Sequence, residues 1–365
     1  MSSIDEARKA PYTYVPPIRQ EYNSNDLIIT VIIDCYYGLN LVKKSIQSVL
    51  DQDYSNVELI LIDNAAKTDV SRYLSDIHTN NKNVAVIKFE ENQFSWDDIG
   101  LLVTVCWNSG VLESKGSVIS HINYDDMLST NCCSKMAALF SENDNCVTAS
   151  PLPVSINIEG KINSELSEII KMSNKRSRYI DGKKLAIDLI TGAPKKLFSA
   201  PGHSMFIRKA ELIKFGGFDR NTDISQIIKF AIHGDSGFDP KANLFSRHHE
   251  GQLSKQIGKR GMALCSSLYF IVKSEKIIEM WERLFNNYDV KLLYKFIKIN
   301  KRAEVKNLSV GLLRNKNIVS FYKLLVVTAK ECHFLVFYLL LVSFKEVLLM
   351  VRDKILDIIK NKWTL

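Results

Sequence analysis

Four short apolar runs, rich in β-branched residues and separated by helix-like segments, constrain the fold of this chain most. They are residues 27–33 (LIITVII), 57–62 (VELILI), 84–89 (VAVIKF) and 117–122 (SVISHI). Continuous runs of this kind are typical of strands that are buried on both faces. Helical segments at residues 41–50 and 101–112 lie between them. This alternation predicts an α/β fold with a mostly parallel central sheet flanked by helices.

Polar and acidic residues follow three of these strands. Asp34 comes after the first, Asp63 after the second, and residues 123–126 (NYDD) after the fourth. Ligands of open α/β sheets bind beyond the carboxyl ends of the strands, so we expect these side chains to share one site. A divalent cation that bridges a nucleotide diphosphate takes one or two protein carboxylates and fills its other positions with phosphate oxygens and water. The NYDD cluster alone is equally compatible with a solvated turn before a helix N-cap at Ser129.

Several separated blocks occur in an order that resembles glycosyltransferase family 2. They are residues 32–69, 108–110 (NSG), 115–119 (KGSVI), 123–126 (NYDD), 202–219 (ending in GGFD) and 246–254 (SRHHEGQLS). The resemblance covers about residues 27–254. It implies a GT-A type, Rossmann-like sheet and transfer of a sugar, with inversion, from a nucleotide-diphosphate sugar to an acceptor hydroxyl. The implied cofactor is Mn²⁺ or Mg²⁺.

The same resemblance implies which residues bind the donor and the metal. Asp125 is similar to the metal-binding acid of the family. His249 is similar to a late histidine that contacts the metal or the diphosphate, although it also fits an ordinary surface histidine. The residues that match nucleotide-binding positions are Asp34, Tyr36, Asp63 and Asn123.

The resemblance also requires a carboxylate general base shortly after GGFD. Asp223 lies there and is the expected base, while Asp235 and Asp239 are possible substitutes. Such a base must reach the acceptor hydroxyl within hydrogen-bond distance, and proton removal contributes about 10²–10⁴-fold in rate. Asp126, the second acid of NYDD, is the other expected catalytic residue, which either helps the metal or orients the acceptor.

Departures from the family pattern keep a second function open. Asp34 and Cys35 replace a Pro-Thr pair, Asn64 replaces the second acid of an Asp-Asp pair, and Asn123 replaces the first acid of Asp-x-Asp. These changes are compatible with a non-catalytic GT-A-like scaffold or a nucleotide-sugar-binding module. Nucleotidyltransferases and dinucleotide-dependent oxidoreductases are disfavoured, because no glycine-rich phosphate loop follows the first strand.

The basic charge of the chain is concentrated near its end. The formal net charge is +8, and residues 272–365 hold 18 Lys and Arg against 9 Asp and Glu. The region 263–365 is predicted to form a helical extension of basic amphipathic helices. Its longest uncharged stretch, residues 332–344, is shorter than the roughly 20 residues that span a bilayer. We expect these helices either to contact a membrane surface peripherally or to pack on a protein surface, and a nucleic-acid partner is not expected.

The remaining segments complete the predicted organisation. Residues 1–26 are polar and proline-containing, and we expect a flexible leader before a glycosyltransferase domain at 27–262. Residues 151–201 are expected to leave the sheet and shape the acceptor pocket. The seven cysteines form no CxxC pair, which favours a reducing cytoplasm. The chain is therefore expected in the cytoplasm or on the inner face of the cell membrane, in assembly of surface polysaccharide or glycan. The acceptor would be a glycan or a lipid-linked saccharide.

Overall fold

A computed structural model describes most of the first 253 residues. The described residues are 2–23, 26–95, 100–162, 178–191, 204–218 and 223–253. Seven further residues, all in helical conformation, are described near the end of the chain: 340, 341, 344, 345, 348, 349 and 352. The chain divides into two compact units, Met1–His248 and His249–Leu365. The predicted boundary after residue 262, and most of the predicted helical region 263–365, lie outside the described residues. No helix in the described part of the chain is long and apolar enough to cross a bilayer.

The described residues of the first unit form a mixed sheet of ten strands. These are β1 (Thr13–Val15), β2 (Ile29–Cys35), β3 (Val57–Asn64), β4 (Val84–Phe89), β5 (Val118–Asn123), β6 (Met127–Leu128), β7 (Cys146–Ile156), β8 (Tyr179–Asp181), β9 (Phe206–Arg208) and β10 (Asp235–Arg247). Their order is β1-β4-β3-β2-β5-β9-β7-β10-β6, and β8 pairs with β10. Strands β4, β3, β2 and β5 are parallel, as are β7 and β10, whereas the other pairings are antiparallel.

Helices cover both faces of this sheet. They are α1 (Ser3–Lys9), α2 (Leu39–Leu50), α3 (Thr68–Asn80), α4 (Gly100–Leu102), a π turn (Val103–Trp107), α5 (Asn108–Glu113), α6 (Cys132–Glu142), α7 (Gly182–Thr191), α8 (Lys209–Lys214) and α9 (Asp223–Ala231). Alternate residues of β2 face opposite ways, so Val31 and Ile33 pack with α2, α3 and α6, while Ile32 packs with the π turn, α5 and α9. The predicted mostly parallel α/β sheet flanked by helices is confirmed.

The N-terminal segment differs from the flexible leader expected for residues 1–26. It contains α1, whose Ile4 and Ala7 are buried, and β1, which pairs with β4. The amide of Ile4 also donates to the carbonyl of Gly216, 2.9 Å away. At the start of α1, the carboxylate of Asp5 accepts hydrogen bonds from the amide and the hydroxyl of Ser2. The segment therefore belongs to the first unit, because α1 packs on the π turn and α5 while β1 pairs with β4.

The segment 151–201 also differs in part from the predicted excursion. Residues 151–156 continue β7 inside the sheet, where Leu152, Val154 and Ile156 are buried. Further on, β8 and α7 are regular elements. Pro151 and Pro153 are tolerated in β7, whose irregular pairing with β10 includes a register shift near Asp239. Residues 163–177 and 192–203 lie outside the described residues.

Candidate functional site

Strand pairing brings the predicted nucleotide-binding residues to one edge of the sheet. Cys35 of β2 pairs with Asp63 of β3, and Asp34 pairs with Asn123 of β5. Because these strands are parallel, their carboxyl ends meet at the same edge. Neighbouring strands lie about 4.8 Å apart, so β3 and β5 are separated by roughly 10 Å across β2. That spacing is suited to one nucleotide that spans the three strand ends.

The acidic motif forms a tight turn directly after β5. The amide of Asp126 donates to the carbonyl of Asn123 at 3.1 Å, and Ser45 of α2 donates to the same carbonyl at 3.1 Å. Asp126 is only 1% exposed. Its Oδ1 accepts from the amide of Arg247 at 2.9 Å, and its Oδ2 accepts from Asn123 Nδ2 at 3.2 Å. Both oxygens of Asp126 thus support the turn, which favours a structural role over the predicted contact with substrate.

A buried arginine, which the sequence analysis did not single out, holds the other side of this turn. Arg247 is fully buried at the end of β10, and its Nε donates to the carbonyl of Asp125 at 2.9 Å. Burial lowers the pKa of its guanidinium, while the nearby carboxylates of Asp125 and Asp126 raise it. Arginine remains charged in proteins, so a positive charge lies beside the acidic pair. The sequence shows Arg247 in the block SRHHEGQLS, but it does not show that this arginine contacts Asp125, about 120 residues earlier in the chain.

Asp125 is the residue of the turn that is predicted to hold a cation. It lies beside Asp126 in the turn that follows β5, and 7% of its surface is exposed. No group of three or more His, Cys, Asp or Glu that could bind a metal occurs in the described part of the chain. A cation that takes most of its ligands from a diphosphate and water needs only one or two carboxylates. The donors at this turn therefore fit a cation that binds together with a nucleotide, and fit a closed protein-only site poorly.

The carboxylate of Asp34 contacts the ring nitrogens of His121 and Trp107, two residues that were not predicted to belong to the site. Its Oδ1 lies 2.6 Å from His121 Nε2 and 3.3 Å from Trp107 Nε1. The two rings stack with centroids 3.5 Å apart. Trp107 ends the π turn, an irregularity that is frequent at functional sites. The signal available in the sequence was a histidine inside the apolar run SVISHI, because buried polar residues are informative.

Asp63 is used largely by its own loop. Its Oδ1 accepts from the amide of Ala66 at 2.8 Å, and its Oδ2 accepts from the hydroxyl of Ser71 at 2.5 Å. The neighbouring Asn64 bonds Asn92 through its side-chain nitrogen and the amide of Gln93 through its side-chain oxygen. These contacts fix the loop after β3. That Asp63 also contacts a nucleotide base stays a prediction.

Exposed aromatic rings lie beside the same strand end. Tyr36 is 38% exposed, and its ring meets the edge of Tyr37, whose centroid is 5.8 Å away. Tyr37 in turn packs on Tyr124 at 5.3 Å. The φ of Gly38 is +82°, and a Cβ there would come within 3.3 Å of the Tyr124 ring. The chain therefore turns sharply after β2 and leaves the predicted nucleotide-binding ring of Tyr36 accessible.

The NSG and GGFD motifs meet in the fold. Asn108 is buried, its Oδ1 accepts from the amide of Phe218 at 2.8 Å, and its Nδ2 donates to the carbonyl of Phe218 at 2.7 Å. Gly217 has a φ of +81°, and a Cβ there would lie 2.4 Å from Asn108 Oδ1. This clamp fixes the segment that leads toward α9, which begins at Asp223.

The structure describes the side chains of two of the three candidate general bases, Asp235 and Asp239. The side chain of Asp223 is outside the described part of the chain, so its reach is not tested. Asp235 begins β10 and accepts from the side chain of Asn143 in the α6–β7 connection, at the amino edge of the sheet. That edge is opposite to Asp125, which disfavours Asp235. Asp239 lies within β10, and its Oδ1 accepts from the amide of Lys241 at 2.9 Å.

His249 begins the second unit. Its Nδ1 accepts a hydrogen bond from the amide of Gly251 at 3.2 Å, and its own amide faces Gln252 Oε1 at 3.4 Å. These contacts describe a local turn. The predicted role of His249 at the metal therefore stays a prediction.

Comparisons with known proteins found a family model and solved structures that are similar to this chain. The model of the glycosyl transferase family 2 matches residues 30–210. A mannosyltransferase of Pyrobaculum calidifontis, PcManGT, solved with GDP-Man and Mn²⁺, has a TM-score of 0.52 at 10% identity, covering 94% of this chain and 92% of that chain. TarS 1–349 of S. aureus, solved with UDP, has a TM-score of 0.47 at 12% identity, covering 88% and 89%. No match was found among curated proteins. Through residues 30–210, this chain belongs to glycosyltransferase family 2.

Proposed function

We propose that the chain transfers a sugar from a nucleotide-diphosphate sugar to an acceptor hydroxyl, with inversion, assisted by Mn²⁺ or Mg²⁺. The observation that carries this proposal is the position of the Asp125 turn. It follows β5 at the carboxyl edge of the sheet, beside Asp34 and opposite Asp63 across β2. Within a family 2 domain, this is where a donor diphosphate and its cation would meet the protein.

Each residue of the site has a separate part in the proposed reaction. Asp125 would hold the cation, which neutralises charge on the diphosphate as the bond to the sugar breaks. Tyr36 presents an exposed ring on which a base can stack, and Asp34 presents a carboxylate to the same edge. Asp223 would remove the proton of the acceptor hydroxyl on the opposite face of the sugar. In-line attack from that face inverts the anomeric carbon without a covalent intermediate on the enzyme.

A non-catalytic, nucleotide-sugar-binding module is the second candidate. Its support is that Asp63 and Asp126 each have both carboxylate oxygens in hydrogen bonds that hold the fold. Such a protein would bind the donor without releasing its nucleotide. Turnover therefore separates the two candidates.

The test is nucleotide release from a panel of donors, including GDP-mannose and UDP-N-acetylglucosamine, with and without Mn²⁺. We expect release that needs Mn²⁺ and falls at least about 100-fold in Asp125→Asn, which keeps the shape of the side chain but removes its charge. Asp235→Asn, at the opposite edge of the sheet, is the matched control and should retain activity. Binding without release in the unchanged protein would favour the module, and equal activity of both variants would refute the role of Asp125.

We further propose that the second unit attaches the enzyme to the cytoplasmic face of a membrane, where a lipid-linked saccharide in surface polysaccharide assembly would be the acceptor. Its support is a set of exposed apolar side chains in helical conformation: Leu340 (49%), Leu341 (61%), Phe344 (67%) and Leu348 (54%). Lys345 and Arg352 are exposed in the same stretch. Each basic residue near an anionic surface contributes about 1 kcal/mol to attachment.

Sedimentation of the full chain with vesicles tests the attachment. We expect binding to vesicles that contain phosphatidylglycerol, weaker binding to pure phosphatidylcholine, and a loss of binding in Phe344→Glu. Ile213→Glu is the control, because Ile213 is an exposed apolar residue of the first unit. Unchanged binding of Phe344→Glu, or self-association in place of vesicle binding, would contradict the proposal.

A further inference from the structure

Arg247 connects the acidic turn to a second turn that has no part in the proposed function so far. Its Nη1 donates to the carbonyls of Asn157 and Ile158 at 3.1 and 2.8 Å. The same side chain donates through Nε to the carbonyl of Asp125, while its backbone amide donates to Asp126. One residue thus contacts the main chain of Asp125, the side chain of Asp126 and two carbonyls in the turn that follows β7.

The second turn is closed by the side chain of Asn157. The amide of Lys161 donates to Asn157 Oδ1 at 2.8 Å, and the amide of Asn157 donates to the carbonyl of Lys161 at 2.9 Å. Gly160 has a φ of +94°, which allows the chain to reverse. Strands β5 and β7 are both antiparallel to β9 and so run in the same direction. The 157–161 turn therefore lies at the same edge of the sheet as Asp125.

The chemistry of arginine suits this connection. A buried cation is costly unless its donors are bonded and a negative charge is near, and Arg247 satisfies both conditions. The planar guanidinium can direct several donors to carbonyls at once, which a lysine ammonium cannot reproduce at the same positions. Two carboxylates and one guanidinium leave the turn with one net negative charge, so cation binding is expected to gain most of its strength from the diphosphate.

We infer that Arg247 is a positioning residue, which fixes the direction of the Asp125 carboxylate and couples the cation site to the 157–161 turn. The inference rests on the proposed function, because it concerns the cation that Asp125 is proposed to hold. Its consequence is that a change at the second turn alters cation binding, although the turn contributes no ligand.

A double-mutant cycle tests this coupling. Mn²⁺ binding is measured by calorimetry on the full chain in saturating GDP or UDP, whichever the unchanged protein binds. We expect about tenfold weaker Mn²⁺ binding in Arg247→Lys and about threefold weaker binding in Asn157→Ala. The double variant should be no weaker than Arg247→Lys alone, since Asn157 acts through Arg247. Asn143→Ala, whose side chain bonds Asp235 at the opposite edge, should bind Mn²⁺ normally.

The outcomes distinguish the inference from the proposed function. If the unchanged protein binds neither nucleotide with Mn²⁺, the proposed function fails and the inference fails with it. If it binds but Arg247→Lys binds equally well, or if the two changes add fully, only the inference is overturned. Should Arg247→Lys not fold, Asn157→Ala alone decides, because unchanged Mn²⁺ affinity would overturn the coupling. Excess Mn²⁺ should restore the turnover number of Arg247→Lys, which a general loss of structure would not allow.

Discussion

Replacement of Asn108 by alanine should destabilise the first unit strongly. Asn108 is fully buried, and its side chain satisfies both backbone groups of Phe218, 110 residues further along the chain. Phe218 itself is 1% exposed, so water has little access to the groups that lose their partner. A buried donor or acceptor left unsatisfied costs about 1–3 kcal/mol. The two groups together predict a loss of about 2–6 kcal/mol.

This loss is measured by denaturant unfolding, and by the midpoint of thermal unfolding. For a unit of this size, 1 kcal/mol shifts the midpoint by about 2–4 °C, so a decrease of roughly 4–24 °C is expected. Asn80→Ala is a matched control, because Asn80 also donates to a carbonyl four residues earlier but is exposed on α3. That variant should change stability by less than about 0.5 kcal/mol.

Asn108→Asp sharpens the test. An aspartate keeps the shape and can accept from the amide of Phe218, but it has no hydrogen to donate to the carbonyls of Phe218 and Thr104. We therefore expect it to be at least as destabilising as alanine at neutral pH. Faster hydrogen exchange at the amide of Phe218 should accompany the loss. A cost below about 1 kcal/mol for both variants would refute the clamp between the NSG and GGFD segments.

Three further predictions follow from the described contacts. Gly217→Ala should lower the free energy of unfolding by more than about 2 kcal/mol, because the φ of Gly217 is +81° and the added Cβ would lie 2.4 Å from Asn108 Oδ1. An unchanged midpoint of unfolding would contradict this geometry. Burial lowers the pKa of His233 from 6.5 to about 4, so between these pH values the unfolded state takes up a proton that the folded state does not. The contribution of His233 to the free energy of unfolding should therefore be complete above pH 6.5 and fall toward pH 4. His233→Phe should lack this part of the fall. The five cysteines that the structure describes are buried, and burial raises the pKa of thiols such as Cys35 and Cys106. No more than two of the seven thiols should therefore react quickly with a thiol reagent before the protein unfolds.

The central sheet and its acidic edge were predictable because they depend on local patterns. Runs such as VAVIKF are typical of strands buried on both faces, and β4 begins and ends where the run does. In a parallel sheet, the carboxyl ends of the strands lie at one edge, which placed Asp34, Asp63 and Asn123 at the same edge. The other strand ends were displaced by one or two residues, as where β2 extends to Cys35.

The parts that escaped prediction depend on contacts between distant segments. Helix α1 has only seven residues, with Ile4 and Ala7 as its buried positions, so its periodicity is too short to recognise. Arg247 reaches the carbonyls of Asp125 and Ile158 only after β10 has taken its place beside β7. A sequence shows the residue types of such a network, but it does not show which carbonyls they meet.

The most direct test of the account is the position of Mn²⁺ in crystals of the full chain grown with Mn²⁺ and the nucleoside diphosphate that it binds. Anomalous scattering at the manganese edge locates the ion without assumptions about the ligand. We predict a manganese peak within coordination distance of both the Asp125 carboxylate and the diphosphate, beyond the carboxyl ends of β2 and β5. A peak that lies away from Asp125, with the diphosphate bound elsewhere on the chain, would contradict it.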